Sequence, residues 1–237
     1  MDSIFKFKQF EVDQSGCAMK INTDGVLLAA LAESDEPTTI LDIGTGTGVI
    51  ALMLAQRFKN AKIEAVEIDG IAAATAEKNF RSSVFGSRLT AVHSSIQQYK
   101  PLTTQMYDLI ISNPPYFVND LKNAEEKKGI ARHTDEAFFD ELISKVSTLL
   151  SENGSFWFIL PLNQADLLIN KAAMFNLHLL KQISLYSDAT KPAFRKIVCL
   201  TRKEVVSPKT QDFYIYESEK VYTKAYKELL SDFFLNL

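Results

Sequence analysis

Residues 40–48 read Ile-Leu-Asp-Ile-Gly-Thr-Gly-Thr-Gly, an apolar strand running straight into three alternate glycines. Few stretches constrain a fold more. A strand this apolar is buried on both faces and needs neighbours on both sides. Glycines at Gly44, Gly46 and Gly48 let the backbone turn tightly and approach a ligand with no Cβ in the way. The spacing is GxGxG. A dinucleotide-binding turn, GxGxxG, carries its third glycine one residue later and seats a pyrophosphate on the following helix. Here Val49 holds that place, and Asp42 sets a carboxylate close to where a diphosphate would have to lie. The motif therefore favours a cationic ligand without phosphate. S-adenosylmethionine, with its sulfonium and ammonium groups, meets that description.

The rest of the chain alternates apolar runs with amphipathic stretches, the pattern of strands and crossover helices. Strands are expected over 40–44, 63–68, 89–93, 107–112, 155–160, 178–186 and 194–201, and helices over 48–58, 71–81, 135–150 and 164–175. Phe138, Leu142, Val146 and Leu149 give the third helix one buried face. Asn153-Gly154 closes it, and the last two strands pair as an antiparallel edge. This predicts an α/β fold, a seven-stranded Rossmann-like sheet with helices on both faces. Its ligand crevice lies beyond the carboxyl ends of the strands. Ahead of the sheet, residues 5–20 read as a short hairpin with Gly16 in its turn region. Asn22-Thr23-Asp24 then caps a helix to about Ala32. At 237 residues the chain is expected to form one domain: an extension over 1–39, a core over 40–210, and a terminal strand and helix over 211–237.

Three further groups belong at strand ends. Glu67, twenty-one residues beyond Gly46, has the spacing of an acid that accepts hydrogen bonds from a ribose. Asp69 then caps the next helix. Ser94-Ser95-Ile96, after the third strand, falls near an adenine ring. After the fourth strand comes Asn113-Pro114-Pro115-Tyr116. Its prolines fix the turn and remove backbone donors, so it presents oxygen acceptors. An amide-like or ring-attached NH2 is planar and weakly nucleophilic because its lone pair is delocalised. The Asn113 side-chain oxygen and the Pro114 carbonyl can each take one amine hydrogen and free that lone pair for in-line attack on a methyl group. Tyr116 offers a stacking face for a planar substrate.

The pairing of Asp-Ile-Gly-Thr-Gly-Thr-Gly with Asn-Pro-Pro-Tyr resembles class I S-adenosylmethionine-dependent methyltransferases that act on exocyclic or amide nitrogens. Within them the chain is similar to the bacterial tRNA(Val) adenine N6-methyltransferases, which modify the adenine 3′ of the anticodon. The likeness runs from Phe7-Lys8-Gln9-Phe10, Cys17-Ala18-Met19-Lys20 and Thr23-Asp24-Gly25 to Lys191-Pro192 and Arg195. It implies that Thr23 and Asp24 close over the methionine part of the cofactor, with Lys20 beside them. Helix capping alone would also account for Thr23 and Asp24. Where family members often carry an acid after the third strand, this chain has Ser94-Ser95.

Charge bears on partners. The formal net charge is -3, yet over residues 191–209 Lys191, Arg195, Lys196, Arg202, Lys203 and Lys209 face only Glu204. Such a cluster reads as an RNA phosphate-binding face or as the charged protection of a strand edge. Residues 119–133 read as a solvated loop placed to grip substrate. No apolar run is long enough to span a membrane, and residues 1–20 lack a signal peptide's apolar stretch, so a cytoplasmic protein is expected. Cys17 and Cys199 are far apart, and His93, His133 and His178 are scattered, which argues against a metal site or a disulfide.

Three functions remain in view. The first is methylation of a tRNA adenine at N6. The second is N5-methylation of a release-factor glutamine, which uses the same chemistry; those enzymes carry a helical domain for which 39 residues ahead of Ile40 are too few. A DNA adenine methyltransferase needs a target-recognition region that nothing after the sheet is long enough to supply. The third is a non-catalytic binding module, which the intact set from Asn113 to Tyr116 disfavours.

Overall fold

A computed structural model of the protein describes residues 3–102, 106–115 and 126–236. The hairpin β1 (Ile4–Lys6) and β2 (Glu11–Asp13) leads to α1 (Thr23–Leu31). Then come β3 (Thr39–Ile43), α2 (Val49–Arg57), β4 (Lys62–Glu67), α3 (Gly70–Ser82), β5 (Leu89–His93) and β6 (Tyr107–Ser112). The second half holds α4 (Glu126–Leu149), β7 (Leu150–Leu160), α5 (Leu162–Ala173), β8 (His178–Tyr186), β9 (Ala193–Thr201) and β10 (Lys209–Tyr214). A small hairpin of β11 (Tyr216–Ser218) and β12 (Val221–Tyr222) precedes α6 (Lys224–Leu230).

The main sheet has the order β10-β8-β9-β7-β6-β3-β4-β5, and within it only β9 runs against its neighbours. From β3 the chain winds outward through β4 and β5, then returns to place β6 on the other side of β3. The winding reverses between β3 and β6, which is where a doubly wound sheet opens its ligand crevice. Ile43 stands opposite Ser112 in the register, so the turns after β3 and β6 emerge side by side. Ser112 Oγ donates to the Ile43 carbonyl at 2.9 Å and ties the two strand ends together.

Alternate residues of each strand feed two apolar layers. Ile40, Ile63, Leu109 and Trp157 pack with Leu28, Leu52 and Phe80 of α1, α2 and α3. Leu41, Ile110, Phe156 and Val198 pack with Leu142, Val146 and Leu168 of α4 and α5.

Several sequence expectations need correction. The sheet has eight strands, because β10 adds parallel to β8. β8 and β9 do pair antiparallel, but β9 lies inside the sheet between β7 and β8, and β10 covers β8. Helix α4 starts at Glu126 instead of near Asp135, so the later part of the expected 119–133 loop is helical and residues 119–125 lie outside the described residues. Asn153-Gly154 does not end that helix. It sits within β7, where the register jumps between Tyr107 and Leu109 and a Cβ on Gly154 would stand 2.8 Å from the Tyr107 carbonyl oxygen. The hairpin turn is made at Phe7 and Phe10, stacked at 4.5 Å, while Gly16 lies in the next turn with φ of 75°.

Candidate active site

The turn after β3 is built from the strand outward. Asp42 alternates onto the face covered by α2 and is fully buried. Its Oδ2 accepts the Thr45 hydroxyl at 2.6 Å, which folds the turn back over the strand end. Oδ1 has no hydrogen-bond partner among the described residues. Burial pushes this carboxyl up to about 7, with the Thr45 hydroxyl pulling it back and the nearby Glu67 charge raising it further. An orphaned acceptor under a ligand turn is costly unless something bound supplies compensating charge or donors.

Gly44 and Gly46 adopt φ of 73° and 56°, and a Cβ on either would meet nothing within 4 Å. Their open side is the ligand side. Gly48, φ 84°, is different, since a Cβ there would stand 2.5 Å from the Phe80 ring. The third glycine therefore serves the packing of α2 on α3. Asn79, buried on α3, donates to the Thr47 and Asp13 carbonyls at 2.9 Å each, pinning the turn to the N-terminal hairpin.

At the end of β4 the Glu67 carboxylate accepts the Gly46 amide on Oε2 and the Asp69 amide on Oε1, both at 2.9 Å. The acid is thereby clamped across the turn with lone pairs to spare. Asp69 caps α3 through the Ala72 amide at 2.8 Å. At the end of β6, Asn113 Oδ1 is buried and has no hydrogen-bond partner among the described residues, and Pro114 is buried beside it.

These groups share one cavity of about 320 Å³, whose walls include Gly44, Gly46, Glu67, Asn113 and Pro114. Sequence reasoning did not assign a role to the mainly apolar remainder: Cys17, Ala18 and Met19 from the segment before α1, Ile68 after β4, and Phe138 from α4, with Gln97 the polar exception. Phe138 had been assigned only to a buried helix face, and which end of that face reaches the crevice depends on the tertiary fold. The Cys17 thiol is pushed up by burial and by the carboxylates of Asp69 and Glu67, so it stays protonated.

Other expected site residues lie off this wall. Ser94 lines the cavity, whereas the Ser95 hydroxyl accepts from the Gln98 amide at 3.3 Å, closing the turn after β5. Thr23 is exposed in the first turn of α1, and the cap of that helix is Asn22, which accepts the Gly25 amide at 2.9 Å. Asp24 is buried and bound to Arg195 Nε at 2.7 Å. Tyr116 lies outside the described residues.

The cationic stretch does not form one face. Because β9 runs antiparallel, Arg195 and Lys196 sit at the crevice edge, opposite Leu185 and Leu160, while Arg202 and Lys203 fall at the other edge of the sheet. Lys196 pairs with Asp166 at 2.5 Å, and Lys191 with Asp188 at 3.3 Å. Arg202 donates to the Leu150 and Ser147 carbonyls, and Lys203 is exposed.

Comparison with known proteins places this geometry. A model of the methyltransferase small domain matches residues 17–168, a span that opens at Cys17, the first residue of the cavity wall, and takes in all the others. A predicted O-methyltransferase from Agrobacterium tumefaciens shares the fold at a TM-score of 0.70 and 17% identity, covering 89% of this chain and 96% of its own. The protein is an S-adenosylmethionine-dependent methyltransferase.

Two curated relatives narrow the family. The chain is 55% identical over 235 residues to the tRNA1(Val) (adenine(37)-N6)-methyltransferase of Pedobacter heparinus, covering 99% of each. It is 39% identical over 232 residues to the enzyme of the same name from Haemophilus influenzae, covering 98% of each. The chain belongs to the tRNA1(Val) (adenine(37)-N6)-methyltransferase family.

Proposed function

We propose that the protein methylates the exocyclic N6 of adenine 37 in a valine tRNA, in the cytoplasm and as a single domain. The observation that carries this reading is the buried Oδ1 of Asn113, which has no partner among the described residues, on the wall of the cavity. A buried acceptor without a donor is a strained ground state, and an incoming NH2 group relieves it.

The residues present fit the cofactor. Gly44 and Gly46 leave open space over the turn, and Glu67 is fixed to accept the ribose hydroxyls. Asp42 lies beneath the turn, where its charge favours a cation. A cofactor bound there would supply a methyl group on a positively charged sulfur, with a neutral thioether as the leaving group. Asn113 Oδ1 and the Pro114 carbonyl each hold one hydrogen of the adenine amine, so its lone pair turns towards the methyl carbon. Proline at 114 and 115 keeps backbone donors out of that corner. Once the new C–N bond has formed, the extra proton passes to solvent, so positioning and preorganised dipoles supply the acceleration. Tyr116, four residues from the strand end, is the group we assign to stack on the base, and Thr23 and Asp24 the groups that border the methionine end. For the RNA backbone, Arg195 and Lys196 are the cations on the crevice edge.

The test is incubation with labelled methyl donor and separate pools of tRNA, DNA and release factor. Label in tRNA, recovered as N6-methyladenosine, is expected. Label in a release-factor glutamine would transfer the same corner to a protein amide and overturn the RNA assignment.

A further inference from the structure

A second cavity, of about 660 Å³, opens where the loop after β8 meets the β11–β12 hairpin. Both β8 and β10 run parallel to β6, so this cleft lies on the same edge of the sheet as Asn113. It is three to four strands away, roughly 14 to 19 Å at about 4.8 Å per strand. A stacked strand would need about four to six nucleotides at about 3.4 Å each to span it, so a nearer nucleotide reaches the cleft only with its base splayed away from the target adenine.

Its chemistry is unlike a phosphate site. Lys191 is paired with Asp188, and the remaining charges are Glu217 and Glu219 against Lys220. Neither glutamate forms an ion pair among the described residues. Tyr216 gives an aromatic wall made rigid from behind: its ring stacks on Tyr222 at 5.0 Å, which stacks on Tyr226 at 4.5 Å. Exposed carboxylate acceptors beside a fixed aromatic ring suit a splayed nucleobase that carries an exocyclic amine.

We propose that this cleft reads the bases of the nucleotides 5′ to the target adenine in the same RNA. The inference rests on the tRNA reading above. Valine codons begin with G and U, so codon–anticodon pairing makes the two nucleotides before adenine 37 an adenine and then a cytosine. Both present amines to carboxylates, which explains why an RNA-binding edge carries unpaired glutamates.

The experiment measures kcat/KM on a valine anticodon stem-loop and on the same RNA with the cytosine 5′ to the target replaced by uracil, which exchanges the amine for a carbonyl. The wild-type enzyme should prefer cytosine by about 5- to 150-fold. The Glu217→Ala, Glu219→Ala double variant, altered only at exposed positions, should lose activity on the cytosine RNA and treat the two RNAs alike. Equal turnover of both RNAs by the wild type, or full discrimination by the double variant, would overturn the proposal while leaving the methyltransferase reading intact. If Lys191→Ala and Lys220→Ala weaken binding equally for every sequence and the glutamate variant changes nothing, the cleft holds phosphate and the base-reading role is wrong. A protein that methylates no RNA overturns both readings together.

Discussion

Asp42 is the residue on which the glycine turn depends, and its protonation makes a measurable prediction. Its carboxyl rises from an ordinary 3.8 to about 7 on folding, chiefly through burial. Between those values the folded protein holds a proton that the unfolded chain has released, so stability falls as pH rises across that window and levels off above it. Glu67 is the neighbouring charge that adds to the shift. Asp42→Asn should flatten this part of the profile and raise relative stability above pH 7, on the order of several kcal/mol. Melting temperatures of both proteins from pH 4 to 8 without cofactor would check it; parallel profiles would contradict it. Glycines that look equivalent in sequence should also separate. Gly48→Ala meets Phe80 at 2.5 Å as well as an unfavourable φ, and should cost about 2 to 4 kcal/mol of stability. Gly46→Ala bears mainly the φ strain, about 1 to 2 kcal/mol, but puts a methyl group into the cavity, so calorimetry should find its larger effect on cofactor affinity. That Gly44, Gly46, Glu67 and Asn113 meet at one crevice was legible because their spacing puts each of them at a strand end. The division of labour among the three glycines was not, since only the neighbour met by each absent Cβ separates Gly48 from the other two.

Elements were legible where periodicity or a cap marks them. Strands β3 to β6 and the Asp69 cap of α3 follow from apolar runs and one polar residue each. Helix α4 was placed nine residues short because its first turns have no apolar stripe to announce them. β10 was missed as a sheet strand because Lys209, Thr210, Gln211 and Asp212 are all exposed at the sheet edge. Strand order was the costlier omission: β9, inserted between β7 and β8, carries the cationic stretch from one edge of the sheet to the other and brings Arg195 to Asp24. That ion pair joins β9 to the first turn of α1, whose Gly25 packs on Ile50 of α2 and whose preceding segment walls the cavity. Both side chains are largely buried, 19% and 11% exposed, so the pair should hold this segment in place. Asp24→Asn and Arg195→Met should each weaken cofactor binding, and the double variant should fall short of their sum by about 0.5 to 3 kcal/mol. A double-mutant cycle on cofactor affinity would measure this, and strict additivity would show that the pair couples nothing.

At the scale of the whole molecule, the N-terminal hairpin packs against the segment that follows α6. Phe7 pairs with Phe234 across an isolated bridge, their rings 5.6 Å apart, and the Lys8 amide donates to the Phe233 carbonyl at 2.8 Å. The hairpin so fixed reaches the glycine turn through Asn79, and the segment that follows it supplies Cys17 to Met19 to the cavity. None of these long-range contacts has a local sequence signature, although the motif residues at either end are plain to read. The turns after β3 and β6 line one cavity, and the proposed mechanism would set an electrophilic methyl group at the first against an amine-gripping corner at the second. The most direct measurement of that claim is single-turnover methylation of a valine tRNA by Asn113→Ala, with cofactor affinity measured on the same protein. Turnover should fall by about 100-fold or more, as when one preorganised group is removed from a transition state, with cofactor affinity unchanged; a variant that keeps its turnover would contradict the account.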